Sequence, residues 1–109
     1  MAIPRAGDVI LVPFPFRDKA AESTRPAVVL SATAYNKQGD VVVAAITTHP
    51  PRSPMDYVLQ DWKAAGLAKP STVRMLIATI AQTRIVLTIG HLTDRDWAGV
   101  QATLQLVFT

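Results

Sequence analysis

Apolar residues fall in short blocks along this chain, parted by polar, proline or glycine stretches, and their period changes once. Residues 8–16 (Asp-Val-Ile-Leu-Val-Pro-Phe-Pro-Phe) are rich in β-branched and aromatic side chains and predict a first strand. Pro13 and Pro15 lack backbone donors, which puts that strand at an edge or bends its end. Residues 17–24 are small and polar and predict a mobile loop. A second strand is predicted over 26–31, turn chemistry over 35–40, and a third strand over 40–47. Pro50, Pro51 and Pro54 forbid a ladder and predict an extended loop. A short fourth strand is expected over 55–60, then one helical turn over 61–66 with Asp61 at its cap and Gly66 at its end. Residues 72–80 and 85–92 read as two more strands, joined by a short connection at 81–84. Beyond them Trp97, Val100, Leu104 and Val107 recur at helical spacing, and Thr93 with Asp96 resembles a capping box with the shorter acid. The pattern predicts a mainly β fold with a C-terminal α-helix. Strands this short and dense suggest a small, strongly bent sheet or barrel. No repeat, linker or low-complexity tract interrupts it, so residues 1–109 read as one domain.

Composition narrows the classes. A length of 109 residues suits one core, and 50% hydrophobic against 17% charged residues indicates a globular chain. No apolar run approaches the roughly 20 residues that span a bilayer, and the first eight residues do not read as a secretory signal. With no cysteine, disulfides, zinc–thiolate sites and a thiol nucleophile are excluded. A cytoplasmic protein is the simplest expectation. The formal charge of +3 permits a nucleic-acid partner without requiring one.

Candidate chemistry gathers at strand ends. Arg25 stands directly before the second strand, and Thr47 and Thr48 close the third. A charged fork and hydroxyls at the mouths of rigid strands would make a phosphate site. A solvated strand-end ion pair and ordinary β-formers are the plainer readings of the same residues. His49 follows the threonines and reads as a general base or as loop filling. His91 reads as a partly buried, hydrogen-bonded residue. No metal-ligand spacing, P-loop or dinucleotide fingerprint is present, so neither a metal nor another cofactor is expected. Trp62, Tyr57 and Tyr35 could stack bases, and Lys63, Lys69, Arg74 and Arg84 could line a phosphate path. Packing and ordinary surface are the alternatives for each.

Taken in order, Gly7–Phe16, Arg25–Ser31, Ala44–Thr47, Leu59–Trp62, Gly66–Ser71, Ala78–Ile80, Arg84-Ile85 and Ile89–Leu92 resemble the MazF/PemK family of toxins from bacterial toxin–antitoxin modules. The resemblance runs over nearly the whole chain. It implies an SH3-like barrel (MazF/CcdB-like) with a terminal helix, acting as a homodimer. The implied activity is metal-independent endoribonuclease cleavage of single-stranded RNA, chiefly mRNA, at short motifs. In such enzymes the ribose 2′-hydroxyl attacks the neighbouring phosphorus, leaving a 2′,3′-cyclic phosphate and a 5′-hydroxyl. By position Arg25 matches the family's catalytic arginine and Thr47 its catalytic threonine. Thr48 and His49 have no secure counterpart and stand as further candidates for catalysis or RNA contact. Asn36, Trp62, Lys69, Arg74 and Arg84 are the candidate RNA contacts. A cognate antitoxin peptide is the implied partner, and no membrane is. The chain departs from many relatives at Met75-Leu76-Ile77-Ala78, where they carry polar residues, so the bases it reads are left open. Two other readings compete: a gyrase-targeting toxin of the same architecture (CcdB-like) and a non-catalytic binding barrel.

Overall fold

The chain runs β1 (Asp8–Phe14), β2 (Ser23–Val29), α1 (Thr33–Asn36), β3 (Asp40–Thr47), β4 (Tyr57–Val58), β5 (Thr72–Ala81), a 3₁₀ turn (Gln82–Arg84), β6 (Leu87–His91) and α2 (Asp94–Phe108), in a computed structural model that describes residues 2–15 and 23–108. The strands form one antiparallel sheet in the order β4-β5-β3-β2-β1-β6. The mainly β class, the bent sheet and the terminal helix are as the sequence predicts. The sheet is a half-barrel, with β4 and β6 at its two edges.

Register and pleat explain how six short strands make a core. Val9, Val28 and Ala44 lie in one cross-strand row, and Ile10, Ala27 and Ala45 in the next. Alternate residues face opposite sides of a sheet, so these rows feed two apolar layers. Val9, Val28, Ala44, Ile46 and Val73 pack with Leu59, Ala65 and Leu67 from the connection between β4 and β5, with Leu92 just after β6, and with Val100 of α2. Ile10, Val12, Phe14, Ala27, Val29, Val41, Val43, Ala45 and Ile80 form a second cluster on the opposite face. Burial on both faces is why these strands read as near-continuous apolar runs. Between Ala44 and Ala45 the partner residue jumps from Ile77 to Arg74, so Met75 and Leu76 bulge out of β5.

The boundaries differ from expectation where side chains replace ladder bonds. β2 starts at Ser23 and stops at Val29, because Ser31 Oγ takes the Val42 N–H at 2.9 Å in place of a backbone carbonyl. Apart from Ser23 and Thr24, the predicted 17–24 loop lies outside the described residues. The short α1 takes up the first two residues of the predicted 35–40 turn, leaving 37–39 to turn the chain into β3. β4 shrinks to two residues because Ser53 turns the chain, accepting from Asp56 N and Met55 N.

Residues 62–66 form a turn, and Asp61 does not cap it. Its carboxylate accepts from Thr93 Oγ1 at 2.7 Å and from both Nε and Nη2 of Arg95, tying the turn to α2. Those donors hold the Asp61 carboxyl below its ordinary range, and Asp61 in turn raises Arg95. Gly66 adopts φ +87, and a Cβ there would lie 2.1 Å from the Ile89 carbonyl oxygen, so glycine alone fits. Thr93 caps α2 as expected, accepting the Asp96 N–H at 3.4 Å. Asp96 does not complete the capping box. It is fully buried and accepts from Tyr57 O–H, Gln60 N and Asp61 N at 2.8–2.9 Å. The predicted helix stripe is buried at Val100 and half-buried at Trp97 and Leu104, but Val107 is exposed beside Leu106 and Phe108.

Candidate functional site

The site begins with a cross-strand row. Arg25 pairs with Val12 on β1, and Thr47 pairs with Thr72 on β5. Between β2 and β3 the ladder ends at Ala27 and Ala45. Carried two residues further, the same register sets Arg25 across from Thr47. Ala27 and Ala45 belong to the second cluster, and residues two apart share a face. Arg25, Thr47 and Thr72 therefore share the sheet face of that cluster, at the strand ends. β-branched and small residues hold the two strands rigid behind them.

Arg25 is exposed, and no hydrogen bond or ion pair occupies its guanidinium among the described residues. Thr47 is half-buried. Its Oγ1 lies 2.9 Å from His49 Nδ1 and accepts the His49 backbone N–H at 3.2 Å. The chain thus folds back on itself as it leaves β3, and the imidazole comes to the threonine hydroxyl. Thr48 is exposed, and among the described residues no hydrogen bond engages its side chain. The structure joins His49 directly to Thr47, sets Arg25 in line with Thr47 by the continued strand register, and leaves Thr48 aside.

The candidate RNA contacts scatter. Asn36 is a correction: it is 1% exposed, and its amide is consumed by the Pro4 and Ser31 carbonyls and the Ser31 hydroxyl. It pins the N-terminal segment and has nothing left for a ligand. Arg84 is exposed in the 3₁₀ turn, near the Asp40 end of β3. That end is roughly 23 Å along the strand from Thr47, so the fold does not bring Arg84 to Thr47. Lys69 is exposed. Trp62 is half-buried against the helix-side core, and the Lys63 ammonium sits 5.7 Å from its ring centroid. One ring face is therefore already occupied. Arg74 faces Ala45 across the ladder, two rows in from Thr72. Its side chain is 16% exposed, with Nε 3.7 Å from Asp56 Oδ2.

The sequence reading did not single out Thr72 or Asp56. Thr72 is adjacent to Thr47 only through strand pairing. Asp56 accepts Arg52 N at 2.9 Å and neutralises Arg74, a role visible only once the 52–56 turn has formed. Arg52, Asp56 and Arg74 line a groove of about 630 Å³ together with Met55, Met75 and Leu106. His91, as expected, is partly buried and bonded, with Nδ1 2.9 Å from Asp8 Oδ1. Among the described residues no three carboxylates or histidines converge as a metal site, and no helix is long and apolar enough to cross a membrane.

Solved structures with the same architecture share little sequence. MazF from Deinococcus radiodurans superposes with a TM-score of 0.80 at 21% identity, covering 99% of this chain and 98% of that one. An endoribonuclease from a mycobacterial species, in complex with its cognate antitoxin, gives 0.77 at 18% identity over 99% and 95% of the two chains. The Mycobacterium tuberculosis toxin MazF-mt6 gives 0.77 at 19% over 93% and 95%. No curated protein is significantly similar in sequence. The family of PemK-like, MazF-like toxins of type II toxin–antitoxin systems matches residues 5–108. Spanning nearly the whole chain, including the strands that carry Arg25 and Thr47, that match places this protein in the PemK/MazF-like toxin family.

Proposed function

We propose that this toxin is a sequence-specific, metal-independent endoribonuclease of single-stranded mRNA, with Arg25 and Thr47 as its catalytic pair. The observation that supports the reading is the β2–β3 register: continued past Ala27 and Ala45, it sets positions 25 and 47 opposite one another. In the transition state for attack by the ribose 2′-hydroxyl, negative charge builds on the non-bridging phosphate oxygens. The Arg25 guanidinium, unpaired among the described residues, offers two parallel donors to that charge. The threonine hydroxyl adds a hydrogen bond and fixes the phosphate. The 5′-oxygen leaves, and the products are a 2′,3′-cyclic phosphate and a 5′-hydroxyl. DNA lacks the attacking hydroxyl and is no substrate.

Trp62, Lys69 and Arg74 are the remaining candidates for guiding the RNA, with Thr48 as a further contact. The working form is a homodimer in the cytoplasm. Its partner is a cognate antitoxin whose acidic, disordered segment lies between Arg25 and the 49–54 loop and excludes substrate. The complexes of structural neighbours with their antitoxins support that reading.

Incubating purified protein with a long defined transcript in EDTA, then mapping the ends, tests the activity. Cleavage at a recurrent short motif with cyclic-phosphate and 5′-hydroxyl ends is expected. Intact transcript at every protein concentration would sink the proposal.

A further inference from the structure

Arg25 and Thr47 leave one role of the proposed reaction unfilled. The 2′-hydroxyl must lose a proton, and neither a guanidinium nor an alcohol accepts one near neutrality. His49 is held where it can. A threonine hydroxyl has one hydrogen and two lone pairs. The His49 backbone N–H takes one lone pair of Thr47 Oγ1 at 3.2 Å. With a neutral ring protonated on Nε2, the hydroxyl hydrogen points at Nδ1, 2.9 Å away. The second lone pair then faces an incoming O–H. A hydroxyl paired with an imidazole in this way is the arrangement that activates hydroxyls.

Resting on the function proposed above, we infer that His49 is the proton acceptor for the ribose 2′-hydroxyl, acting through Thr47. As the 2′-O–P bond forms, the 2′ proton passes to Thr47 Oγ1, and the threonine's own proton passes to His49 Nδ1. The P–O5′ bond breaks, and the leaving oxygen takes a proton from water. The exposed imidazolium returns its proton to the hydroxide so formed. Among the described residues, the charged side chains on the surrounding elements are Arg25 on β2, Arg74 on β5, and Arg52 and Asp56 on the same loop. Asp56, the one carboxylate among them, is engaged by Arg52 N at 2.9 Å and by Arg74 Nε at 3.7 Å.

Single-turnover cleavage of a defined RNA oligonucleotide between about pH 5 and 8, where histidine charge changes, tests the assignment. The wild-type rate is expected to rise by about tenfold per pH unit on the acid side and then level. His49→Ala should lose that limb and run about 10²-fold slower, and added imidazole should restore part of its rate. His49→Gln keeps a polar side chain that does not titrate, so it should behave like His49→Ala. Recovery in His49→Gln would mark a merely structural role and overturn the inference. So would an unchanged acid limb in His49→Ala, or a wild-type rate that falls with rising pH. Arg25→Ala separates the two levels. Cleavage surviving in that variant removes the proposed site itself. Cleavage abolished there but unaltered in His49→Ala removes only the role of His49.

Discussion

The hydroxyl of Tyr57 donates to the fully buried Asp96 carboxylate at 2.8 Å, joining β4 to the first turn of α2. Burial, then this hydrogen bond and the carboxylate's charge, push the phenol up to about 12. The folded state therefore keeps a proton that the unfolded chain releases near pH 10. The resulting stabilisation is complete below about pH 10 and is lost as pH rises through 12. Urea midpoints for wild type and Tyr57→Phe should differ at pH 8 and converge across that window. A difference that stays constant to pH 12 would show that Tyr57 does not titrate as argued.

Asp96 also accepts two backbone donors, Gln60 N and Asp61 N. Asp96→Ala strands three donors in a closed space and should destabilise by about 3 kcal/mol or more. Asp96→Asn keeps one acceptor oxygen but turns an amide N–H toward a donor, and should lose about 1–3 kcal/mol. Thermal unfolding ranks the three. Equal midpoints for Asn and wild type would mean that the carboxylate's second oxygen contributes nothing.

Thr47 is expected to act through its oxygen and not its shape. Thr47→Ser retains the hydroxyl and should cleave RNA within about tenfold of wild type. Thr47→Val keeps the β-branched outline of a strand residue and removes the donor, and should fall by about 10²-fold. Similar rates for Ser and Val would remove the hydroxyl from the chemistry.

The strands were legible because burial on both faces leaves long apolar runs, and Asp40–Thr47 matches its predicted bounds. Boundaries failed where a side chain stood in for a backbone partner, as Ser31 does for Val42. A single sequence carries the preference of Ser31 for turns but not its partner eleven residues on. The site was legible as residue types at strand ends. Its layout was not, because Arg25 comes into line with Thr47, and Thr47 pairs with Thr72, only through register. Asn36 misled for a related reason. Asparagine at a turn has the same local signature whether its amide faces solvent or, as here, closes on Pro4 and Ser31.

Arg25 offers a clean separation of activity from stability. It is exposed, and no carboxylate among the described residues depends on it, so its removal strands no buried charge. Arg25→Ala should leave stability within about 0.5 kcal/mol while cleavage falls by about 10²–10³-fold, the loss typical of one donor to a developing oxyanion. Arg25→Lys retains the charge but not the planar fork, so it should recover only part of that loss. Measuring single-turnover rates and melting temperatures on the same preparations keeps the two effects apart. Full activity in Arg25→Lys would mean that charge alone suffices and the paired donors do not matter. A large drop in melting temperature for Arg25→Ala would show that the guanidinium holds the β2 end in place and is not free for phosphate.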